Sequence, residues 1–404
     1  MNSSYEQKHP LYAASFTKRR KAMDLYEGGE RIEGNRAYLT RHTYESDKQY
    51  DIRASRATYR NFAAPIVDVF ASFINEGRPE RILPDALRPI EADADRYGMT
   101  ADAFFADVTR LAAAGGARFV IVDMEQKKGE TVAEDRASGR RMTPYFTSIS
   151  PDDVWDWGMD AKGLAWAVVH SEEMEHPAAF AAPLRYETLT VWTRDSWTRY
   201  RRPMKDKENT EYAIAEDGER RHGLGTVPLV PFLFEPTSPM TGLPATDDVL
   251  SLILRIYRRD SELDKMLFDR AVPLLNVGGV SQEHWDTFVV ASSNALMSTE
   301  PGGITAQYVE PSGTAFQAQA EALARDEASV REIALRMVRP QSAVGESAES
   351  KAIDKTQLDT QLASFGAAAA RKPSVGKLPP GGLELRRTES RRNTTSRMMW
   401  ARRR

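Results

Sequence analysis

Two long stretches of this chain combine freedom from glycine and proline with an apolar seam at helical spacing, and they restrict its fold more than any other feature. The first runs from Asp247 to Arg270 and the second from Thr314 to Val338. Each is expected to be one helix, on the order of 36 Å long at about 1.5 Å per residue. Seam residues recur in steps of about 3.5. In the first stretch they are Val249, Ile253, Ile256, Asp260, Leu263 and Leu267. In the second they are Phe316, Ala320, Leu323, Glu327, Val330, Ala334 and Met337. A narrow seam suits helices with neighbours on both sides, because a helix deep in a core carries a wider stripe. Pro273 ends the first helix, and Gly313 with the cap residue Thr314 opens the second. Between them, Leu274 to Gly313 is β-rich and glycine-bearing, with Trp285 and the turn Glu300-Pro-Gly-Gly303. Two readings stay open: an antiparallel helix pair on a single-domain core, or a helical wall with the β insertion protruding from one end.

The remaining chain reads as α+β. Residues 1–30 form a polar arm, and Gly28-Gly29 marks a break. Phe62, Ile66, Val69 and Phe73 share one helical face. A helix from Thr100 to Ala114 starts from a threonine cap, has Asp102 in its first turn and stops at Gly115-Gly116. Arg118 to Asp123 is a buried strand, an apolar run rich in β-branched residues. Short strands follow at Tyr145–Ser148, Leu164–His170, Tyr186–Thr193 and Ser196–Arg201, the last two forming a hairpin across Arg194-Asp195. Lys205 to Gly225 is charged, a loop or hairpin tip, and Val227 to Phe234 is an edge strand at most because of its prolines. Arg339 to Lys351 has loop chemistry, and Glu349 to Ala370 is a further helix with Ile353, Leu358 and Leu362 as its apolar positions.

Catalytic motifs are absent. There is no cysteine, which excludes disulfides, thiolate metal sites and thiol nucleophiles. No P-loop, G-x-S-x-G, H-E-x-x-H or EF-hand pattern occurs, and Gly223-Leu-Gly225 lacks a third glycine. His170 and His176 flank Glu172, Glu173 and Glu175, a cluster better read as an exposed acidic loop before Pro177 than as a metal site. Asp152, Asp153, Asp156 and Asp160 could hold magnesium and serve a metal-dependent nuclease. They alternate with Val154, Trp155 and Trp157, which favours a turn leading into a half-buried strand. No enzymatic activity, cofactor or metal is expected. Nor is a signal peptide or membrane helix, since the longest apolar run, Leu111 to Val122, is broken by Gly115, Gly116 and Arg118. The expectation is a soluble protein of a reducing compartment.

Charge is the remaining clue. The formal net of −3 conceals a split. From Arg371 onward there are 11 Lys/Arg and 2 Asp/Glu, a net of +9, which leaves 44 against 56, a net of −12, for everything before it. The basic tail has proline-rich, aperiodic sequence and is expected to be disordered. It reads either as an arm that binds DNA, through Arg386, Arg387, Arg391 and Arg392, or as a frame-changed terminus.

Four segments together resemble the portal proteins of tailed bacteriophages. They are Tyr38-Leu-x-Arg-His42-x-x-Glu45 with Tyr50-x-x-Arg53-x-x-Arg56-Ala-x-Tyr59-x-Asn61; Tyr145 to Trp157; Asp247–Arg270 running into Val272-Pro-Leu-Leu-Asn-Val-Gly-Gly279; and Gln307 to Gly313 with the second long helix and the polar loop after it. The likeness lies in their order over residues 38–370.

The resemblance implies a ring, usually of twelve subunits, at one capsid vertex, through which double-stranded DNA is packaged and ejected without sequence preference. It implies an α/β wing at 31–243, stem helices at 244–273 and 314–338, a clip at 274–313, a tunnel loop at 339–351 and a crown-like helix at 352–370. The clip would meet the terminase large subunit and then the head–tail adaptor, with Asn276, Gln282, His284, Trp285 and Glu300 as docking candidates. The tunnel loop would offer Arg339, Gln341, Ser342, Glu346, Ser347, Ser350 and Lys351 to the DNA. Major capsid or scaffold protein is a further implied partner. The protein would reside in the virion after assembly in the host cytoplasm, and another minor head or adaptor protein is the alternative. An acidic body suits such a conduit, because each phosphate neutralised by Lys or Arg adds binding that motion must overcome.

Overall fold

The structure, a computed structural model, describes residues 4–77, 79–125, 134, 137–138, 143–206, 211–271, 274–278, 305–309, 313–338, 384–388 and 397–401. The chain is α+β with mainly antiparallel sheets and divides into two compact units. One unit comprises residues 1–27, 61–250 and 334–404, and the other residues 28–60 and 251–333.

The first unit opens with α1 (Pro10–Glu27). The expected polar arm is therefore largely helical. Tyr12, Ala22 and Leu25 are buried, and so are Arg19 and Asp24. Arg19 donates to Asp152 Oδ1 from Nε at 2.9 Å and Nη2 at 2.8 Å, and to the Ser15 hydroxyl at 2.8 Å. Paired charges can be buried where lone ones cannot, so a polar sequence conceals a core helix. While α2 (Asp47–Arg56) lies in the second unit, the first continues with α3 (Ala63–Ile74), β1 (Glu80–Arg81), α4 (Pro89–Ala92) and α5 (Ala101–Gly115). The buried side of α3 is Ala63, Ile66, Val67, Phe70 and Ala71, an i, i+3, i+4, i+7, i+8 ridge. Of the expected face only Ile66 is fully buried.

Thr100 caps α5 by accepting from the Ala103 amide at 3.3 Å, and Gly116 ends it in the left-handed region at φ 83. The helix packs on a sheet of order β3–β2–β9, with β2 (Ala117–Asp123), β3 (Tyr145–Ile149) and β9 (Leu229–Leu233) all antiparallel. Alternation along β2 serves two cores: Val120 joins Phe104, Val108 and Phe146, whereas Phe119 and Ile121 join Trp155, Trp157, Leu189 and Trp192.

The second core belongs to a five-stranded antiparallel meander inserted between β3 and β9. Its strands are β4 (Val154–Asp160), β5 (Gly163–Glu175), β6 (Leu184–Thr193), β7 (Ser196–Pro203) and β8 (Ala213–Arg221). The hairpin across Arg194-Asp195 forms as expected. The charged stretch expected to be a loop or tip contains β8 instead. Among the described residues it pairs only with β7, and charge is common on an edge strand because it discourages further pairing. A short hairpin, β10 (Glu235–Ser238) and β11 (Thr241–Leu243), follows. Gly242 of β11 crosses Gly116 so closely that a Cβ on Gly116 would stand 2.4 Å from the Gly242 carbonyl oxygen.

The second unit holds most of the two long helices, Leu250–Ala271 and Gly313–Val338. Between them β12 (Leu274–Gly278) and β13 (Thr305–Val309) pair antiparallel, Leu274 opposite Val309 and Gly278 opposite Thr305. On the first helix Ile253, Leu254, Ile256, Tyr257 and Ser261 are buried, a wider stripe than the expected seam. The reason is residues 28–60, which pack along a second side of that helix.

Two segments of the basic tail are described. β14 (Glu384–Thr388) and β15 (Arg397–Ala401) pair antiparallel, and β15 runs parallel to β1. Leu385 and Met398-Met-Trp400 give these two segments an apolar character that the arginine-rich sequence around them lacks.

Candidate functional site

The segment 38–60 and the first long helix form one locked assembly in the second unit. Ser46 caps α2 reciprocally with Gln49, which sets the helix start. One turn and a half on, Arg53 is buried against Glu45: Nε donates to Oε1 and Nη2 to Oε2, both at 2.8 Å. Its remaining donors reach the Thr40 carbonyl at 2.8 Å and the Ser261 hydroxyl at 3.1 Å. Tyr50 donates to the Leu39 carbonyl at 2.6 Å. Around this centre, Arg258 Nε donates to the Tyr38 carbonyl at 2.8 Å, and Tyr257 to the Ile32 carbonyl at 3.2 Å. Tyr59 packs edge-on against the Tyr257 ring, Arg56 pairs with Asp264 at 2.9 Å, and His42 stands 3.3 Å from Glu262. The spaced tyrosines and arginines of the first motif therefore grip a helix.

Ionic contacts also join the two long helices. Asp326 of the second is buried and takes Arg255 at 2.7 Å and Arg259 at 2.6 Å from the first. Gln319 donates to Glu262 at 2.9 Å. Arg60 reaches both helices, 3.3 Å from Asp260 and 2.6 Å from Glu327. Asp260 and Glu327 are the two charged residues that interrupt the apolar seams in the sequence, and the structure brings both to one guanidinium. Burial pushes the Asp260 carboxyl up, and Arg60 opposes that push. In the sequence, Arg60 is recognisable only as a cation beside the motif.

The hydrogen bonds from Arg53 hold the Glu45 carboxyl at about 2, against 4.5 for a free glutamate. A carboxyl lowered on folding stabilises the protein above its unfolded value and loses that contribution as pH falls through the interval. The second unit is thus expected to lose up to about 3 kcal/mol between pH 5 and pH 2 from this group. Denaturant unfolding of the chain and of Glu45→Gln across that range checks this; equal pH slopes would contradict it.

The acidic cluster is occupied by cations and the backbone. Asp152 is held by Arg19, Asp156 Oδ1 accepts from the Trp157 amide at 3.0 Å, and Asp160 is gripped bidentately by Arg194 at 2.7 and 2.8 Å. Arg194 lowers the Asp160 carboxyl to about 2. Asp153 lies 3.6 Å from His170, whose ring stacks on Trp155 and contacts Glu187 at 3.3 Å. Residues 151–153 form the expected turn into β4. Among the described residues no group of three or more His, Asp or Glu is arranged to hold a metal, and no helix is long and apolar enough to cross a membrane.

Of the docking candidates, Asn276 sits on β12 opposite Gln307, while Gln282, His284, Trp285 and Glu300 lie outside the described residues. Arg339, Gln341, Ser342, Glu346, Ser347, Ser350 and Lys351 lie outside them too. Arg386 and Arg387 are on β14 opposite Met399 and Met398, and Arg391 and Arg392 fall outside.

A family model described as a domain of unknown function, DUF4055, matches residues 248–372. That match covers both long helices and less than half of the chain. No curated protein matches. Among solved structures, a chain in the virion of a native gene transfer agent particle is similar at 16% identity and a TM-score of 0.38, over 89% of this chain and 86% of that one. A chain from the neck of the native particle, computed with C12 symmetry, gives 14% and 0.37 over 89% and 86%. One from the neck of the empty particle, computed with C6 symmetry, gives 13% and 0.35 over 76% and 75%. TM-scores this low do not establish a common fold, and the functional reading therefore rests on the chain's own residues and geometry.

Proposed function

We propose that the chain is the ring-forming subunit of a portal-type head–tail connector, a conduit for packaging and ejecting double-stranded DNA. The carrying observation is the second unit: two long helices, cross-linked by Asp326 and Arg60, with the antiparallel β12–β13 pair between them in the chain. Helices joined side by side by ionic grips suit a wall built of repeated subunits. The insertion at their end is the docking element for the packaging terminase and later the adaptor. The motif segment 38–60 serves as a brace that keeps the first helix straight under load. An excess of carboxylates before residue 371 lets DNA slide, since few cations are spare to hold its phosphates.

The purified chain is expected to form a large closed ring, of about 540 kDa if twelve copies of 45.3 kDa assemble. Mass photometry and negative-stain images across protein concentrations test this. A chain that stays monomeric throughout, with or without residues 371–404, would remove the proposal.

A further inference from the structure

The segment ahead of α1 lies against the meander, in the same unit. His9 is its fixed end. The His9 amide donates to the Trp155 carbonyl at 2.9 Å, Nδ1 accepts from the Leu11 amide at 3.1 Å, and the ring stacks on Trp157 at 4.0 Å. Upstream of His9 only side chains hold the segment. The Tyr5 ring sits 5.3 Å from that of Tyr200 and 5.5 Å from that of Tyr212. Glu6 accepts from Arg202 Nη2 at 2.6 Å. The Lys8 ammonium stands 4.3 Å from the centre of the Trp155 ring and 5.0 Å from that of Tyr12. Among the described residues, no backbone hydrogen bond ties Tyr5, Glu6, Gln7 or Lys8 to the meander.

These holds are made by open side chains on closed ones. Tyr5 is 40% exposed and the Glu6 side chain 48%, whereas Arg202, Tyr212 and Trp155 are at 6%, 7% and 8%. Arg202 also donates from Nε to the buried Glu187 at 2.7 Å. Lifting the segment therefore strands no charge, because the guanidinium keeps Glu187 and the Glu6 carboxylate returns to water. The loss is one charge-assisted hydrogen bond, the contacts of the Lys8 cation and those of the Tyr5 ring. A segment fastened so lightly opens locally while the rest of its unit stays folded.

We propose that residues 4–8 are a releasable strap, with His9 as its hinge end and the Glu6–Arg202 ion pair as its catch. Opening uncovers Trp155, Tyr200 and Tyr212 around one edge of a guanidinium. A ring next to a carboxylate matches that patch, and the strap supplies both as Tyr5-Glu6, so the strap is the patch's own ligand. It keeps closed a surface whose aromatic and arginine composition is that of an interface. The strap does not depend on the ring.

Hydroxyl-radical footprinting with mass spectrometry reads side-chain exposure residue by residue. In the full chain carrying Glu6→Ala, oxidation of Trp155 and Tyr212 is expected to rise about tenfold over the parent, as loss of one charge-assisted hydrogen bond shifts the opening equilibrium. In a chain shortened to begin at His9 it is expected to rise further. Trp192, 6% exposed in the same core and outside the strap contacts above, is expected to match the parent in both. A Glu6→Ala chain as protected as the parent at Trp155 and Tyr212 would overturn the catch. A shortened chain still protected there would overturn the strap itself. Oxidation rising equally at Trp192 would show a loosened core and overturn it as well.

Discussion

Arg53→Met is expected to destabilise the second unit by about 3–5 kcal/mol, the usual consequence of removing one partner of a buried ion pair. Both side chains are nearly inaccessible, 1% exposed for Arg53 and 4% for Glu45. Methionine fills much of the volume but donates nothing, so the Glu45 carboxylate, the Thr40 carbonyl and the Ser261 hydroxyl lose a donor together. The double variant Arg53→Met with Glu45→Leu is expected to recover a good part of the loss. It removes the stranded charge, and well-packed apolar replacements of buried pairs are often nearly neutral. Amide exchange in α2 checks both: protection is expected to fall by about two to three orders of magnitude in the single variant and by less in the double. A single variant as protected as the parent would show that the pair is not the centre of the brace.

Gly116→Ala is expected to be as damaging to the first unit, for a different reason. The left-handed conformation at φ 83 alone costs a residue with a Cβ about 1–2 kcal/mol. The new carbon would also stand 2.4 Å from the Gly242 carbonyl oxygen and 2.8 Å from the Leu243 carbonyl carbon. Those are backbone atoms and cannot rotate away as a side chain tip could. Separating the two segments disturbs the bonds beside them, from the Phe234 amide to the Gly116 carbonyl at 3.0 Å and from the Ala245 amide to the Ala113 carbonyl at 2.8 Å. The total is expected to exceed about 3 kcal/mol. Gly223→Ala is the control, with a φ of 64 and open space around the new carbon, so it should show the conformational penalty alone. Thermal unfolding compares the two, and equal shifts would refute the role of the crossing.

Local chemistry is legible wherever a residue's partner lies nearby in the chain. The Thr100 cap, the Gly115-Gly116 stop, the Arg118–Asp123 strand and the Arg194-Asp195 hairpin all obey short-range rules, and all are present. Both breaker-free helices are there as well. What escapes a sequence reading depends on partners far away. The amphipathicity of α1 is invisible because its buried face includes Arg19 and Asp24, and Arg19 is neutralised by Asp152. The packing of residues 28–60 on the first long helix is hidden because nothing nearby reveals that Arg53, Arg56 and Arg60 answer Ser261, Asp264 and Asp260. Their motif is visible, its purpose is not. One clue does stand in the sequence: Asp260 and Glu327 occupy seam positions where apolar residues belong, and such positions ask for a cation from elsewhere.

The insertion of the meander between β3 and β9 has a consequence for how the chain comes to be folded. β2 pairs with β9 across about a hundred residues, a long excursion whose closure would be slow if those residues were still a random coil. They need not be. Each strand from β4 to β8 pairs with the next in sequence, so the meander can assemble by successive hairpin zipping, each step closing only a short loop. Once assembled, it delivers β9 to the edge of β2 already near its register. This long-range pairing is thereby converted into a docking of two preformed pieces, and substitutions in the β6–β7 hairpin should retard the arrival of β9 more than substitutions in β9 itself.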